Sequence, residues 1–451
     1  MARVARWVIS VVASVLLTCG LAHAGDVPGI SNIRFRSFGT TEGLPQATAR
    51  AFAQDTTGFL WIGTQDGLAR FDGYGFKAYR HDRSDVWSLS DNHITALVAD
   101  DDGGLWVGTL GGGLNHYDPD LDRFKAYRAN PAHPGAGALA SNNIAALLLD
   151  RDKRLWVAST GGQLQWIDRA SGVVRDSALG ERRPLRMVRS MIQLRDGSLL
   201  LGSLDGVWQF DTSGSTLHEW RAASGGSLDV YALVQAPDGD VWVGSAEAGL
   251  YHFGPDGVER AHYCNAPNGD PATTLHDDSV RALLFDQAGS LWIAGNAHGL
   301  ARMDTASGRF SRFEHVAGRA GSIPANRLYS LFQDRDGVLI VGSWINGFCI
   351  NDPRSRAFTQ IEPVTGDPRT LPARPVLSVF VDTDSTLWMG IIEGGGLVHF
   401  DLGGGVIARY MHDSADADSL SSNFVQTVRR TRDGSLWVGT GAGLNRMRAD
   451  G

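Results

Sequence analysis

One short pattern recurs nine times along this chain, and no other feature restricts its fold so tightly. Its core reads Asp-x-x-Gly-x-Leu-Trp-Val-Gly-Thr, followed by Gly-Leu and a polar-aromatic-Asp triplet. The clearest copies are Gly58-Phe59-Leu60-Trp61-Ile62-Gly63-Thr64 and Gly104-Leu105-Trp106-Val107-Gly108-Thr109. The central triplets begin at Leu60, Leu105, Leu155, Leu199, Val241, Leu291, Leu339, Leu387 and Leu436. They are therefore 45, 50, 44, 42, 50, 48, 48 and 49 residues apart. A period of about 40–50 residues with a Gly/Trp signature points to a β-propeller, one blade per repeat.

The second repeat shows what one copy builds. His93–Asp100 is a short apolar run, suited to a strand buried on both faces. Asp101-Asp102-Gly103-Gly104 is a tight turn, because Asp and Gly accept its local hydrogen bonds and positive φ. Leu105–Thr109, Leu114–Asp118 and Arg123–Tyr127 supply three more strands, the last alternating apolar and polar. Four antiparallel strands make a blade, so the fold class is all-β. The repeated Trp reads as packing between neighbouring blades. Leu200 and Ile340 replace it in two repeats, where Trp208 and Trp344 follow a few residues later. The repeated glycines read as turn geometry and close backbone approach. Gly111-Gly112-Gly113 and Gly394-Gly395-Gly396 are not followed by a helix, so they do not signal nucleotide binding. No cofactor and no metal is expected.

Residues 1–24 stand apart as a secretory signal peptide. Arg3 and Arg6 precede the apolar run Trp7–Leu17, and Ala22-His23-Ala24 fits a small-x-small cleavage site. Thr18 before Cys19 departs from a lipoprotein box. Removing this segment takes away two Arg and no acid, so the formal charge moves from −8 to −10. An acidic chain of this kind argues against nucleic acid and anionic lipid as partners. No later apolar run is long enough to span a membrane. Cys264 and Cys349 lie two repeats apart and read as unpaired, buried thiols.

The string Asp66-Gly67-Leu68-Ala69-Arg70-Phe71-Asp72-Gly73-Tyr74-Gly75-Phe76 resembles a first blade of the two-component regulator propeller family. So does Phe38-Gly39-Thr40-Thr41-Glu42-Gly43-Leu44-Pro45. Ser88–Ile94 and Ser419–Val425 are similar to that family's blade starts. The resemblance covers residues 31–451. It implies a periplasmic sensor region of hybrid histidine kinases or diguanylate cyclases, in which fourteen repeats usually form two seven-bladed propellers. A β-sandwich, a membrane helix and an output module then follow. This chain has nine repeats and no kinase His box, ATP lid or Gly-Gly-Asp/Glu-Glu-Phe motif, so it reads as a truncated or partner-dependent sensor.

Asn32–Phe38 alternates like an outer strand, and propellers close when one terminus completes the last blade. In one closure this strand completes blade seven, so 25–356 is a seven-bladed sensor propeller and 357–451 holds two further blades, opened by Ala357–Ile361. In the other closure it completes blade nine of a single nine-bladed ring. The first is favoured, since the family uses seven blades.

Strand alternation puts the blade-to-blade connections and the second-to-third-strand loops on one face, opposite the uniform Asp-x-x-Gly turns. The loops vary while the scaffold does not, which suits recognition of a small molecule or saccharide. Trp344 and Asn346 combine a stacking ring with an amide. Alternatively, Trp344 stands in for the missing core Trp of its repeat. Trp87, beside Arg83 and Asp85, is a second candidate. Glu247, His298 and Glu393 occupy equivalent loops, and a His298/Glu247 pair would be the minimum for a propeller lyase or hydrolase. The leading expectation is a non-catalytic, periplasmic ligand-sensing propeller that signals to a membrane sensor kinase or cyclase. A protein-interaction scaffold is the alternative, and an enzyme the weakest reading.

Overall fold

The computed structural model describes residues 30–447 except 32, 131–136, 170, 178, 180–184, 213–215, 267, 318–320, 355–359, 362, 364–367 and 383–384. The signal peptide read at 1–24 and the first residues of the strand read at 357–361 lie outside them. The described chain is all-β apart from short 3-10 turns at Thr40–Glu42 and at 353–354. It holds eight four-stranded antiparallel sheets, one three-stranded sheet and one two-stranded pair. It divides into two compact units, Arg34–Pro353 and a second made of Arg354–Gly451 with Met1–Ile33.

The larger unit contains seven four-stranded sheets. Their innermost strands are Ala51–Gln54, Ile94–Ala99, Ile144–Leu149, Ser190–Gln193, Val230–Gln235, Val280–Phe285 and Leu328–Gln333. Each packs on the next, and Leu328–Gln333 packs on Ala51–Gln54, so the order is cyclic. The second strands, such as Leu105–Thr109 and Val241–Ser245, are buried along their whole length.

The glycine of the Trp-Val-Gly core explains how adjacent sheets meet. A Cβ on Gly108 would lie 2.8 Å from Ile144 Cγ2, and one on Gly244 would lie 2.5 Å from Val280 Cγ1. The bare backbone is thus a notch for the β-branched residue that begins the next inner strand. The third and sixth sheets have Ala158 and Ala294 in that place, both fully buried.

The repeated Asp and Trp are joined directly. Trp61, Trp106, Trp156 and Trp292 each donate Nε1–H to the Asp six residues earlier, at 2.7 Å for Asp55 and 2.8 Å for Asp100, Asp150 and Asp286. The other carboxylate oxygen of Asp55 accepts the amides of Thr57 and Phe59, both at 3.0 Å. One buried carboxylate therefore ties the turn to the second strand, and these bonds offset its desolvation.

The first and last sheets of the larger unit are joined through Arg36–Phe38. It pairs with Phe348–Asn351 as the outermost strand of the seventh sheet, with Phe38 opposite Phe348. Phe38 stacks on Phe348 at 5.2 Å and meets Phe71 edge-on at 5.1 Å, so aromatic rings fill the joint.

The second unit contains a four-stranded sheet, Val376–Tyr410, and a three-stranded sheet, Val425–Met447. Ile30–Ser31 pairs with Gln360–Ile361. The inner strand Val376–Val381 leaves Val379 54% exposed, whereas its register equivalent Leu233 in the larger unit is 6% exposed.

Two sequence expectations need correction or resolution. Cys349 is buried, but Cys264 is exposed, because it follows the outermost strand Glu259–Tyr263. Ile340 fills its own core position at 2% exposure, and Trp208 is buried against the Trp156 cluster, so of the two later tryptophans Trp344 is the one outside the core.

Trp106→Ala removes both an inter-sheet ring and a partner of buried Asp100. It should destabilise the larger unit by about 3–5 kcal/mol in denaturant unfolding. Limited proteolysis should leave a resistant fragment ending near Pro353, and Phe38→Ala should make that fragment protease-sensitive by loosening its last sheet.

Candidate functional site

The face bearing the second-to-third-strand loops carries a level of side chains that the ladder does not use. In the second, third, fifth, sixth and seventh sheets the register shifts by one residue near the start of the inner strand. Thr95, Ala145, Tyr231, Arg281 and Tyr329 are left without a ladder partner. Such a bulge re-aims its side chain and is common at rims and sites. In the first and fourth sheets Arg50 and Arg189 occupy the same level, each donating its N–H to the carbonyl of Gly63 or Gly202 just before pairing begins. All seven are half-buried.

Five of these residues, on consecutive sheets, form two contacting groups, Arg189–Tyr231–Arg281 and Tyr329–Arg50. The guanidinium carbons of Arg189 and Arg281 lie 4.4 and 4.1 Å from the ring centre of Tyr231. Arg50 lies 5.1 Å from that of Tyr329. Tyr329 in turn stacks on Trp344 at 5.4 Å, and Arg327 lies 4.8 Å over Trp344. From the fourth sheet round to the first, the order is Arg189, Tyr231, Arg281, Tyr329, Arg50. Stacking occupies the guanidinium faces and leaves their N–H edges available.

Few neighbours claim those edges. Arg189 pairs with Asp229, and Arg50 Nη1 contacts His93 Nε2 at 2.8 Å. Burial and the adjacent Arg50 charge hold the His93 imidazole below its usual pKa. A neutral ring whose Nε2 accepts from Arg50 satisfies both groups. Arg281 Nε is shielded from solvent and has no hydrogen-bond partner among the described residues.

The residues singled out in the sequence are spread more widely. Trp344 joins this arc through Tyr329 and Arg327. Asn346 is nearby and exposed, but its amide donates to Pro324 O at 2.8 Å. Trp87 lies at the outer edge of the second sheet, where its carbonyl accepts from Phe124 N and Arg123 covers its ring at 4.1 Å. Glu247 is exposed in its loop. His298 stacks on His276 at 4.6 Å and makes no described contact with Glu247. Glu393 belongs to the smaller unit, 3.7 Å from Arg374. Reading the loops missed Arg50, Arg189, Arg281, Tyr231 and Tyr329. The available signal was an Arg inside an otherwise apolar strand start, as in Thr48-Ala49-Arg50-Ala51-Phe52.

A second cluster, Asp100, Asp102 and His116, brings three potential ligand atoms within 4.8 Å. Its Asp100 is already engaged by Trp106 Nε1 and by the Arg169 guanidinium, a cation where a metal would sit. On the turn face a groove between the third and fourth sheets is lined by Arg151, Gln193, Asp196 and Gln209, and it lies among structural turns.

With this geometry in place, relatives can be compared. The family model described as two component regulator propeller matches residues 88–111, 138–161 and 419–442. These three stretches are similar to two component regulator propeller repeats. Over 60 residues it is 47% identical to histidine kinase P4 of Formosa agariphila, a match covering 13% of this chain and 4% of that protein. The extracellular domain of a putative hybrid two component system of B. thetaiotaomicron superposes with a TM-score of 0.74 at 22% identity. That match covers 93% of this chain and 54% of the other. Virginiamycin B lyase of Staphylococcus aureus superposes at 0.53 and 12% identity, over 71% of this chain and 99% of the lyase. These structures share the propeller fold. The chain thus spans about half of that extracellular domain. Among the described residues no helix is long and apolar enough to cross a membrane.

His93 should titrate below 6.5 by NMR, and Arg50→Gln should raise its midpoint. The unfolded ring protonates more readily than the folded one, so this site should weaken the fold as pH falls below 6.5.

Proposed function

We propose that this chain is a non-catalytic, periplasmic sensor propeller, exported by the segment at 1–24, that binds a saccharide or other small molecule. Occupancy is relayed to a membrane sensor kinase or cyclase. The observation that carries the reading is the pairing of regulator-propeller repeats with a half-buried, polar-aromatic level on the loop face. A uniform scaffold holds that level rigidly while the loops above it vary, as ligand recognition requires. Residues 25–356 form the sensing propeller and 357–451 two further blades. Trp344 contributes a stacking ring beside the arc, with Asn346 next to it. Trp87, Glu247, His298 and Glu393 are peripheral loop positions in this reading.

The lyase likeness supports a second reading, because that enzyme is matched over almost its whole length. Catalysis needs convergent acid and base groups. His298 instead rests on His276, and Glu247 points to no described partner.

A panel of mono- and disaccharides should contain members that raise the melting temperature of the full chain without being consumed, as mass spectrometry of the recovered ligand would verify. Turnover of a bound sugar would replace the sensor by an enzyme. Protein capture with no sugar response would replace it by an interaction scaffold.

A further inference from the structure

One array on this face selects among ligand chemistries. We propose that the arc Arg189–Tyr231–Arg281–Tyr329–Arg50 binds a small ring-shaped organic anion, a sugar or sugar-like compound bearing carboxylate or sulfate groups. The proposal rests on the ligand-sensing reading above and narrows it.

Position is the first support. Arg and Tyr alternate at one structural level on five consecutive sheets, and their side chains pack as two neighbouring groups, Arg189–Tyr231–Arg281 and Tyr329–Arg50. Packing alone does not demand them, because Thr95 and Ala145 fill the same level in the other two sheets. None of the five is buried as a core residue would be.

Charge is the second. Arg189 and Arg281 flank a single tyrosine ring, and like charges this close repel. Asp229 against Arg189 is the one ion pair the arc makes among the described residues. His93 accepts from Arg50 and adds no carboxylate. The chain as a whole carries 49 acidic and 41 basic residues, so this level runs against the general balance. A bound anion would relieve the repulsion.

Donor geometry is the third. A stacked guanidinium presents its edge as a planar fork that matches the two oxygens of a carboxylate or sulfate. Arg281 Nε is unpartnered but shielded from solvent, so the fork this side chain can offer is its pair of terminal amino groups, for which the described residues show no hydrogen bond or ion pair. A hydroxyl on a neutral sugar satisfies only one such donor at a time. Trp344, half-exposed, borders the arc with its ring packed between Tyr329 and Arg327.

Calorimetry on the full chain tests this with digalacturonate, a sulfated disaccharide, neutral galactobiose and inorganic sulfate. An acidic disaccharide should bind at least about tenfold more tightly than galactobiose, with affinity falling as salt is added. Arg50→Gln with Arg281→Gln should lose about tenfold or more of that affinity, whereas Arg221→Gln, just past the outer strand Thr216–Trp220, should lose none. Should the double variant fail to fold, phenylglyoxal modification of the unaltered protein serves instead. The bound acid should slow modification of Arg50 and Arg281 but not of Arg221. Unchanged affinity in a folded double variant, or no protection of Arg50 and Arg281, would overturn the assignment. Inorganic sulfate binding as tightly as the acidic sugar would overturn the ring-shaped ligand. Galactobiose binding as tightly as digalacturonate would overturn the anion and leave the sensor standing, while no response to any sugar would remove both.

Discussion

The contact on which the larger unit depends is a β-branched or aliphatic side chain seated against a glycine or alanine of the preceding sheet. Ile144 against Gly108 and Val280 against Gly244 are two instances. The contact does more than bring sheets together. It fixes how far along its axis each inner strand sits, because a side chain held in a notch cannot slide by one residue without a clash. The residue after each seated side chain is the one that leaves the ladder: Thr95 after Ile94, Tyr231 after Val230, Arg281 after Val280. The same packing that builds the core therefore lines up a ring of free side chains at one height.

Within each sheet the Asp–Trp bond does the complementary job. It holds the turn between the first two strands against the buried indole, so the turn face is stiff and nearly identical from sheet to sheet. Sheets that lack the pair use other means. Trp242 follows Ala236 and stacks on His252 at 4.3 Å, and His252 bonds Asp240 at 2.7 Å. Asp334 keeps its turn amides although Ile340 stands where the Trp would be. Because one face is committed to structure, variation collects on the other, where the loops and the bulge residues are.

The electrostatic consequence is local. A chain with a formal charge of −8 places three arginines at one level on the loop face, two of them on one tyrosine. Solvent screens the dispersed surface carboxylates, but half-buried guanidiniums are screened less. A negative net charge therefore does not exclude a small anion at this level.

Sequence alone determined the repeat number, the all-β class, the four strands of a blade and, at Arg36–Phe38, the outer strand read over 32–38. Each follows from local periodicity and turn chemistry, which survive whatever the chain packs against. It also marked the Asp, Gly and Trp of each repeat as structural, though not that the Asp and Trp bond each other. Pairing of Arg36–Phe38 with Phe348–Asn351 was beyond it, because strands more than 300 residues apart in sequence leave no local trace of their register. The candidate site was hidden for a related reason. Arg50, Arg189 and Arg281 sit singly in strand starts that look alike, far apart in sequence and unremarkable one at a time. Only cyclic packing, with a bulge at the same height in successive sheets, turns those isolated residues into neighbours.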